Sequence, residues 1–281
     1  MNKYHKNPRK LAIAGLLILI LLAVNFGPAS AITYGQLDST NLYSNVGALV
    51  ISVPGEGNFQ VCSGTLIDER AFLTAGHCTF FLSQMIAAGD LGIENIKVSF
   101  DPLDSTAPAS LWDVQRLVTH PDFKAVTAFA IADVGVVILA RSPRLAPAHL
   151  APVGYLDLLQ KEGQLQRAGA LASFTVVGYG AQLVWPPPQL DFDPTGRYFT
   201  DAVFQSLTSR WIQLNQNPVV GNGGICFGDS GGPTFWTAPD GQRLLVGVNS
   251  WVGAVSCNSN GYSYRVDLSE TRSFIDQVLS Q

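Results

Sequence analysis

Charge is scarce in this chain. Of its 281 residues only 14% are Asp, Glu, Lys or Arg, and 17 basic against 21 acidic residues leave a net charge of −4. Beyond the first ten positions the basic residues are scattered. No basic face is left to track a phosphate backbone, so nucleic acid is not an expected partner. Cysteine is equally sparse: the four present lack the paired Cys-x-x-Cys spacing of a zinc site, and neither a metal nor another cofactor is expected. Long apolar runs are absent except for Leu11–Phe26, 16 residues that fall slightly short of a bilayer span.

That run sits in a recognisable leader. Lys3, Lys6, Arg9 and Lys10 precede it, and Ala29-Ser30-Ala31 follows as a small-residue cleavage site. Residues 1–31 therefore read as a signal peptide, with residues 32–281 exported into a secreted, extracellular or periplasmic setting. An uncleaved anchor is the competing reading, and membrane attachment is expected only through this segment if it persists. In an oxidising compartment four cysteines suggest two disulfides, for which three connectivities exist.

The rest is 47% hydrophobic with 27 glycines, a balance that fits one large all-β unit or a pair of small barrels. Short apolar runs recur between turn residues at Val46–Val53, Gly64–Ile67, Ala71–Leu73, Lys97–Phe100, Val114–Thr119 and Val134–Leu139. This is the rhythm of an antiparallel barrel. After a Pro/Ala-rich linker, Ser142–Pro152, it resumes at Phe174–Val177, Trp211–Leu214, Pro233–Phe235, Leu244–Ser250 and Tyr262–Val266, which predicts barrels over 32–152 and 153–281. Apolar spacing at Phe274, Ile275, Val278 and Leu279 predicts a terminal helix over Ser269–Leu279. The long non-periodic stretch Ala181–Ser206, with Trp185-Pro186-Pro187-Pro188, reads as a surface loop near the mouth of the cleft, either functional or a tolerated insertion.

Three segments carry chemistry. Gly228-Asp229-Ser230-Gly231-Gly232-Pro233 can place a serine on a tight turn with backbone N–H groups converging beside its hydroxyl. A serine is a weak nucleophile alone and needs a base and a carboxylate that orients the base. The base candidate is His77, delivered by the apolar Ala71–Leu73 onto a small-residue turn and followed at once by Cys78. A lone histidine is ordinarily structural, but His5, His120 and His149 have no comparable surroundings. The carboxylate candidate is Asp133, which opens the apolar strand Val134–Leu139. An acid there is buried and requires a partner, whereas Asp90, Asp101, Asp104, Asp113 and Asp122 lie among turn formers and charges.

The order Thr74-Ala75-Gly76-His77-Cys78, Asp133-Val134-Gly135-Val136-Val137-Ile138-Leu139 and Gly228–Pro233 resembles the chymotrypsin-like (trypsin-family) serine peptidases, in their secreted, bacterial-type form. Gly178-Tyr179-Gly180, Asn249-Ser250-Trp251 and Phe274-Ile275-Asp276 agree with that pattern, and the likeness runs over about residues 32–278. The resemblance implies two six-stranded antiparallel β-barrels with the active site between them and a C-terminal helix. It implies a His77, Asp133, Ser230 triad acting through an acyl-enzyme, an oxyanion hole at the N–H groups of Gly228 and Ser230, and disulfides Cys62–Cys78 and Cys226–Cys257. It also implies an ion pair between the amine of Ile32, freed by cleavage after Ala31, and Asp229.

Pocket residues carried over by motif are Gly224 at the floor, Ser250, Trp251 and Val252 on one wall and Gly261 on the other. Trypsin-like members carry Asp where Gly224 stands, and Val252 replaces a usual glycine, so a small to medium apolar residue is expected before the scissile bond. Gly261 is expected to leave some depth, and Ser263 stands where an aromatic is frequent. The implied partner is a protein or peptide substrate, and the implied state a monomer. A catalytically silent binding module and an esterase-like hydrolase with one dedicated substrate are the alternatives.

Overall fold

Runs of β-branched and apolar residues between turns must pair every backbone edge they bury, and closing a sheet on itself satisfies that requirement completely. The computed structural model describes residues 32–124, 130–165, 174–184, 189–191 and 195–281. The leader, its cleavage site and Trp185–Pro188 lie outside these. Six strands close the first barrel: β1 (Val46–Val53), β2 (Gly57–Leu66), β3 (Ala71–Thr74), β4 (Ile96–Ser99), β5 (Leu111–Thr119) and β6 (Gly135–Leu139). They join antiparallel in the order β1-β2-β3-β6-β5-β4, with β4 returning to β1.

The second barrel uses β7 (Phe174–Gly178), β8 (Tyr198–Leu207), β9 (Trp211–Asn215), β10 (Pro233–Thr237), β11 (Arg243–Val252) and β12 (Asn260–Arg265). Their order is β8-β9-β12-β11-β10-β7, and pairing of β7 with β8 closes the ring. Three helices accompany the barrels: α1 (Gly76–Ala88), α2 (Tyr155–Lys161) and α3 (Ser269–Leu279).

β8 and the helices α1 and α2 differ from the sequence reading. Part of the stretch read as a loop, Ala181–Ser206, is β8, the strand that closes the second barrel, preceded by a short antiparallel pair of Gln182–Val184 with Gln189–Asp191. Only Ala202 and Phe204 of this strand are buried, and a register shift between Phe204 and Ser206 breaks the alternation that would have marked it. Helix α1 gives no start signal either: Ala75 offers no side-chain cap and the first turn holds no acid. It stops where Gly89 takes φ 82°, with the Gly89 N–H bonded to the Ile86 carbonyl.

The ends of the chain are exchanged between the barrels. Gln36–Leu37 pairs with Phe199 and Tyr198 of β8, Thr33 pairs with Gly224, and Ile32 is fully buried in the apolar cluster of the second barrel. Helix α3 returns to the first barrel, its Phe274 ring 4.7 Å from His120 and its end held by Arg116 Nη1 on Gln281 Oε1 at 2.7 Å.

Where these parts meet, Arg197 is completely buried. Its guanidinium pairs with the equally buried Asp38 at 2.8 Å and donates to the carbonyls of Val46 (2.8 Å) and Phe100 (3.2 Å), to the Tyr179 hydroxyl (3.1 Å) and to Asn41 Oδ1. Asp38 in turn accepts the N–H groups of Leu42 (2.7 Å) and Tyr43 (2.9 Å). Removing one partner of a buried pair strands the other charge. Arg197→Met is expected to lower the unfolding free energy by about 3–5 kcal/mol in urea titration. The double variant Asp38→Leu, Arg197→Met is expected to recover most of that loss.

Candidate active site

His77 leaves β3 in the first turn of α1, and Asp133 immediately precedes β6, the strand that pairs with β3. Neighbouring strands thus deliver base and acid to one end of the first barrel. Ala132 holds φ 51°, and the Val134 N–H closes on its carbonyl at 2.7 Å, a tight non-glycine turn that aims the Asp133 side chain. The Asp133 carboxylate accepts the His77 backbone N–H at 2.8 Å and faces His77 Nδ1 at 3.0 and 3.2 Å. It also accepts the hydroxyl of Ser250. With Nδ1 against a carboxylate, the neutral ring carries its proton there and presents a lone pair at Nε2.

Asp133 is fully buried, while the His77 side chain is 37% exposed. Burial alone would push the imidazole down, but the adjacent carboxylate outweighs it and holds His77 above the ordinary histidine value. Burial by itself would raise Asp133. The His77 charge and the three hydrogen bonds it accepts from His77 and Ser250 hold it below the usual carboxylate range.

Ser230 sits on a turn whose peptides are fixed from several sides. Gly228 adopts φ 93° and Gly231 φ 87°, conformations that suit glycine. The Gly228 carbonyl accepts from Gln60 Nε2 (2.8 Å) and Ser63 Oγ (2.9 Å), and the Ser230 carbonyl from the Ser63 N–H (2.7 Å). Gly231 N–H reaches the Asn249 carbonyl at 2.7 Å. Among the described residues the N–H groups of Gly228 and Ser230 meet no acceptor. The Ser230 hydroxyl donates to the Ser250 carbonyl at 3.5 Å, the outer limit of a hydrogen bond and easily exchanged.

Asp229 turns inward. It is fully buried and accepts the N–H groups of Cys226 (2.7 Å) and Gly180 (2.8 Å). Burial pushes its carboxyl up to about 7 against these two donors. Among the described residues no cation pairs with it.

Two cavities meet at the serine. One of about 300 Å³ is lined by Ile225, Phe227, Ser250, Trp251, Val252 and Val255. Trp251 lies flat on Tyr262, ring centroids 3.7 Å apart, which stiffens that wall. The other, about 320 Å³, has Val61, His77, Phe81, Leu82 and Phe227 on its walls, with Ser230 again at its edge. Of the pocket residues expected from the sequence, Ser250, Trp251 and Val252 line the first cavity. Gly224 and Gly261 do not reach its open surface, because the side chain of Gln216 lies between them.

The disulfides join Cys62 to Cys78, tying β2 to α1, and Cys226 to Cys257, tying the serine turn to the cavity wall. Each closes a loop worth roughly 3 kcal/mol in the chain-entropy picture. The sulfurs of Cys62 and Cys78 lie within 4.8 Å of a His77 nitrogen. As a disulfide they are not the thiolates that a metal ion would require.

Sequence reasoning did not find Gln60, Ser63 or Gln216, nor the bond from the Ser250 hydroxyl to Asp133. Those residues are ordinary polar strand or strand-end positions in sequence, and only the pairing of the barrels gives them partners.

A family model described as Trypsin matches residues 43–275. The chain is 31% identical over 217 residues to chymotrypsin-like elastase family member 1 of Bos taurus, covering 73% of each protein. It is 26% identical to trypsin, alkaline B, of Manduca sexta, covering 84% of this chain and 89% of that one. The solved structure of HL collagenase superposes with a TM-score of 0.60 at 19% identity, covering 88% of this chain and 98% of the other. The matched span takes in both barrels, His77, Asp133 and Ser230, and the chain belongs to the trypsin family of serine peptidases.

Proposed function

We propose that this protein is a secreted serine endopeptidase in which Ser230 attacks the scissile carbonyl, His77 takes its proton and Asp133 holds the imidazole in the productive tautomer. The observation that carries the reading is the Asp133 carboxylate gripping both the ring and the backbone of His77 beside a serine turn with two free N–H groups. Attack develops negative charge on the carbonyl oxygen, and the N–H groups of Gly228 and Ser230 are preorganised to receive it. Collapse of the resulting tetrahedral intermediate breaks the C–N bond as His77 gives its proton to the leaving amine, and the acyl group left on Ser230 is then released by water, with His77 acting as base again. The residue before the scissile bond enters the cavity of Trp251, Val252 and Ile225, which no ionisable side chain lines among the described residues. That lining favours a small to medium apolar residue, with Val252 narrowing the entrance.

Activation is read from Ile32 and Asp229. Ile32 holds φ 55°, a conformation in which a β-branched residue is strained. Cleavage after Ala31 removes that constraint, because a terminal residue has no preceding carbonyl to clash with. The new ammonium then supplies the cation that a buried carboxylate needs. Without it, Asp229 titrates near 7. Its neutral form then favours folding fully below the unfolded carboxylate value, and that contribution fades as pH rises toward about 7. Leader removal at export thereby serves as the activating cut. No helix among the described residues is long and apolar enough to cross a membrane.

A fluorophosphonate is expected to label Ser230 in a chain whose N-terminus is Ile32, both read by mass spectrometry of the secreted protein. An unlabelled chain beginning at Ile32 would point instead to a silent binding module. Asp133→Asn is expected to cut kcat by about four powers of ten, the scale associated with loss of the orienting carboxylate, while circular dichroism stays unchanged. The acid limit of kcat/KM is expected above about 6.5, the ordinary histidine value, because Asp133 stabilises the imidazolium, which must lose its Nε2 proton before His77 can act as base. In Asp133→Asn the residual activity and the imidazole NMR titration should move below that value, since burial alone then acts on the ring. One residue added ahead of Ile32, or Asp229→Asn in the chain that begins at Ile32, should abolish most activity. In a chain still extended ahead of Ile32, Asp229→Asn should leave stability at pH 8 unchanged or raised in thermal melts.

A further inference from the structure

The cavity beside Ser230 is shallow at the place where two glycines would make it deep. A Cβ at Gly224 would lie 2.2 Å from Gln216 Oε1, and a Cβ at Gly261 would lie 2.6 Å from the same atom. The amide of Gln216 therefore fills the volume that side chains at either position would occupy. Gln216 is 1% exposed and comes from the end of β9, outside every motif that marks the pocket in the sequence. Its Nε2 donates to the carbonyls of Ile225 (2.9 Å) and Cys257 (3.1 Å), which bracket the Cys226–Cys257 disulfide. Two main-chain bonds thus lock the amide in one orientation. Its Oε1 has no hydrogen-bond partner among the described residues, so the two Nε2 bonds hold the oxygen where it fills space without a bond of its own. Above it, Ile225 Cγ1 comes within 2.9 Å of the Cβ position of Gly261, and Ile225 forms part of the cavity lining.

We propose that Gln216, with Ile225 laid over it, is a specificity-determining residue: a false floor that sets how deep a side chain can enter before the scissile bond. The inference rests on reading Ser230 as the nucleophile and this cavity as the pocket beside it. With the glycine level sealed, a long cationic or aromatic side chain is stopped at Ile225, and short apolar chains fill the remaining depth. Val252 and Val255 act at the mouth, so depth and width are set by different residues and can be changed separately. A glycine at position 224 does not by itself make the pocket deep, because a neighbouring strand end supplies the missing side chain.

The test compares wild type with Gln216→Ala, Ile225→Ala and Val252→Gly, each titrated for active sites with a fluorophosphonate. Each is then assayed on chromogenic peptides that carry Ala, Val, Leu, Met, Phe or Arg before the scissile bond. Wild type is expected to favour Ala and Val. In Gln216→Ala and Ile225→Ala, kcat/KM for Leu, Met and Phe relative to Ala is expected to rise about 10- to 100-fold, the range that one or two methylenes of pocket depth command. Gln216→Ala also strips donors from two carbonyls, and if it does not fold, Ile225→Ala carries the test. Labelled enzymes whose ratios stay at the wild-type value, or a wild type that already prefers Phe, overturn the false floor while leaving the peptidase reading intact. Absence of labelling in wild type overturns the reading of Ser230, and this inference with it.

Discussion

A single guanidinium shut away from water ties this molecule together. Arg197 is surrounded by Asp38 from the entering chain, carbonyls at Val46 and Phe100 of the first barrel, and the Tyr179 hydroxyl beside the end of β7. A buried cation tolerates no unused donor, so these segments must all be in place together. The constraint reaches the serine turn in two steps. Tyr179 N–H donates to Ser63 Oγ at 3.0 Å, and Ser63 Oγ donates to the Gly228 carbonyl. Its neighbour Gly180 donates to Asp229. The turn that carries Ser230 is thus linked by hydrogen bonds to an ion pair that touches neither Ser230 nor His77.

The candidate triad is likewise shared between the barrels. The first supplies His77 and Asp133, and the second supplies Ser230 and its turn. Ser250 joins the two halves, its hydroxyl on Asp133 and its carbonyl facing the Ser230 hydroxyl. A residue of the cavity wall therefore contributes to the electrostatics of the acid, which couples the shape of the cavity to the charge of Asp133 and His77. The low position of the Asp133 titration depends on this bond as well as on His77.

The barrels were legible in the sequence wherever a strand is buried on a regular face. β1, β3, β6 and α3 match the predicted runs to within a residue, because Val46–Val53, Ala71–Thr74 and Gly135–Leu139 are almost wholly apolar and α3 carries a clear helical stripe. β8 was hidden by its outward Asp201 and Gln205 and by its bulge, and α1 by the lack of any cap. The candidate triad stood out because unusual residues sit in unusual surroundings, an acid at the head of an apolar strand above all. Gln216, Gln60 and Ser63 carry no such contrast. Their roles arise from partners 9 to 168 positions away, a distance at which local pattern holds no information.

The exchange of chain ends bears on when this protein becomes dangerous. Thr33 meets Gly224 across 191 positions, whereas β1 pairs only with β2 and β4 in its own half of the chain. Contacts of such separation are made late, because the loop they close must lose its freedom before they return anything. The serine turn is braced across similar distances, with Gln60 and Ser63 reaching the Gly228 carbonyl from 168 and 165 positions away. During folding, then, the most hazardous part of the molecule is assembled last, at a stage when few unfolded loops of its own chain are left to cut.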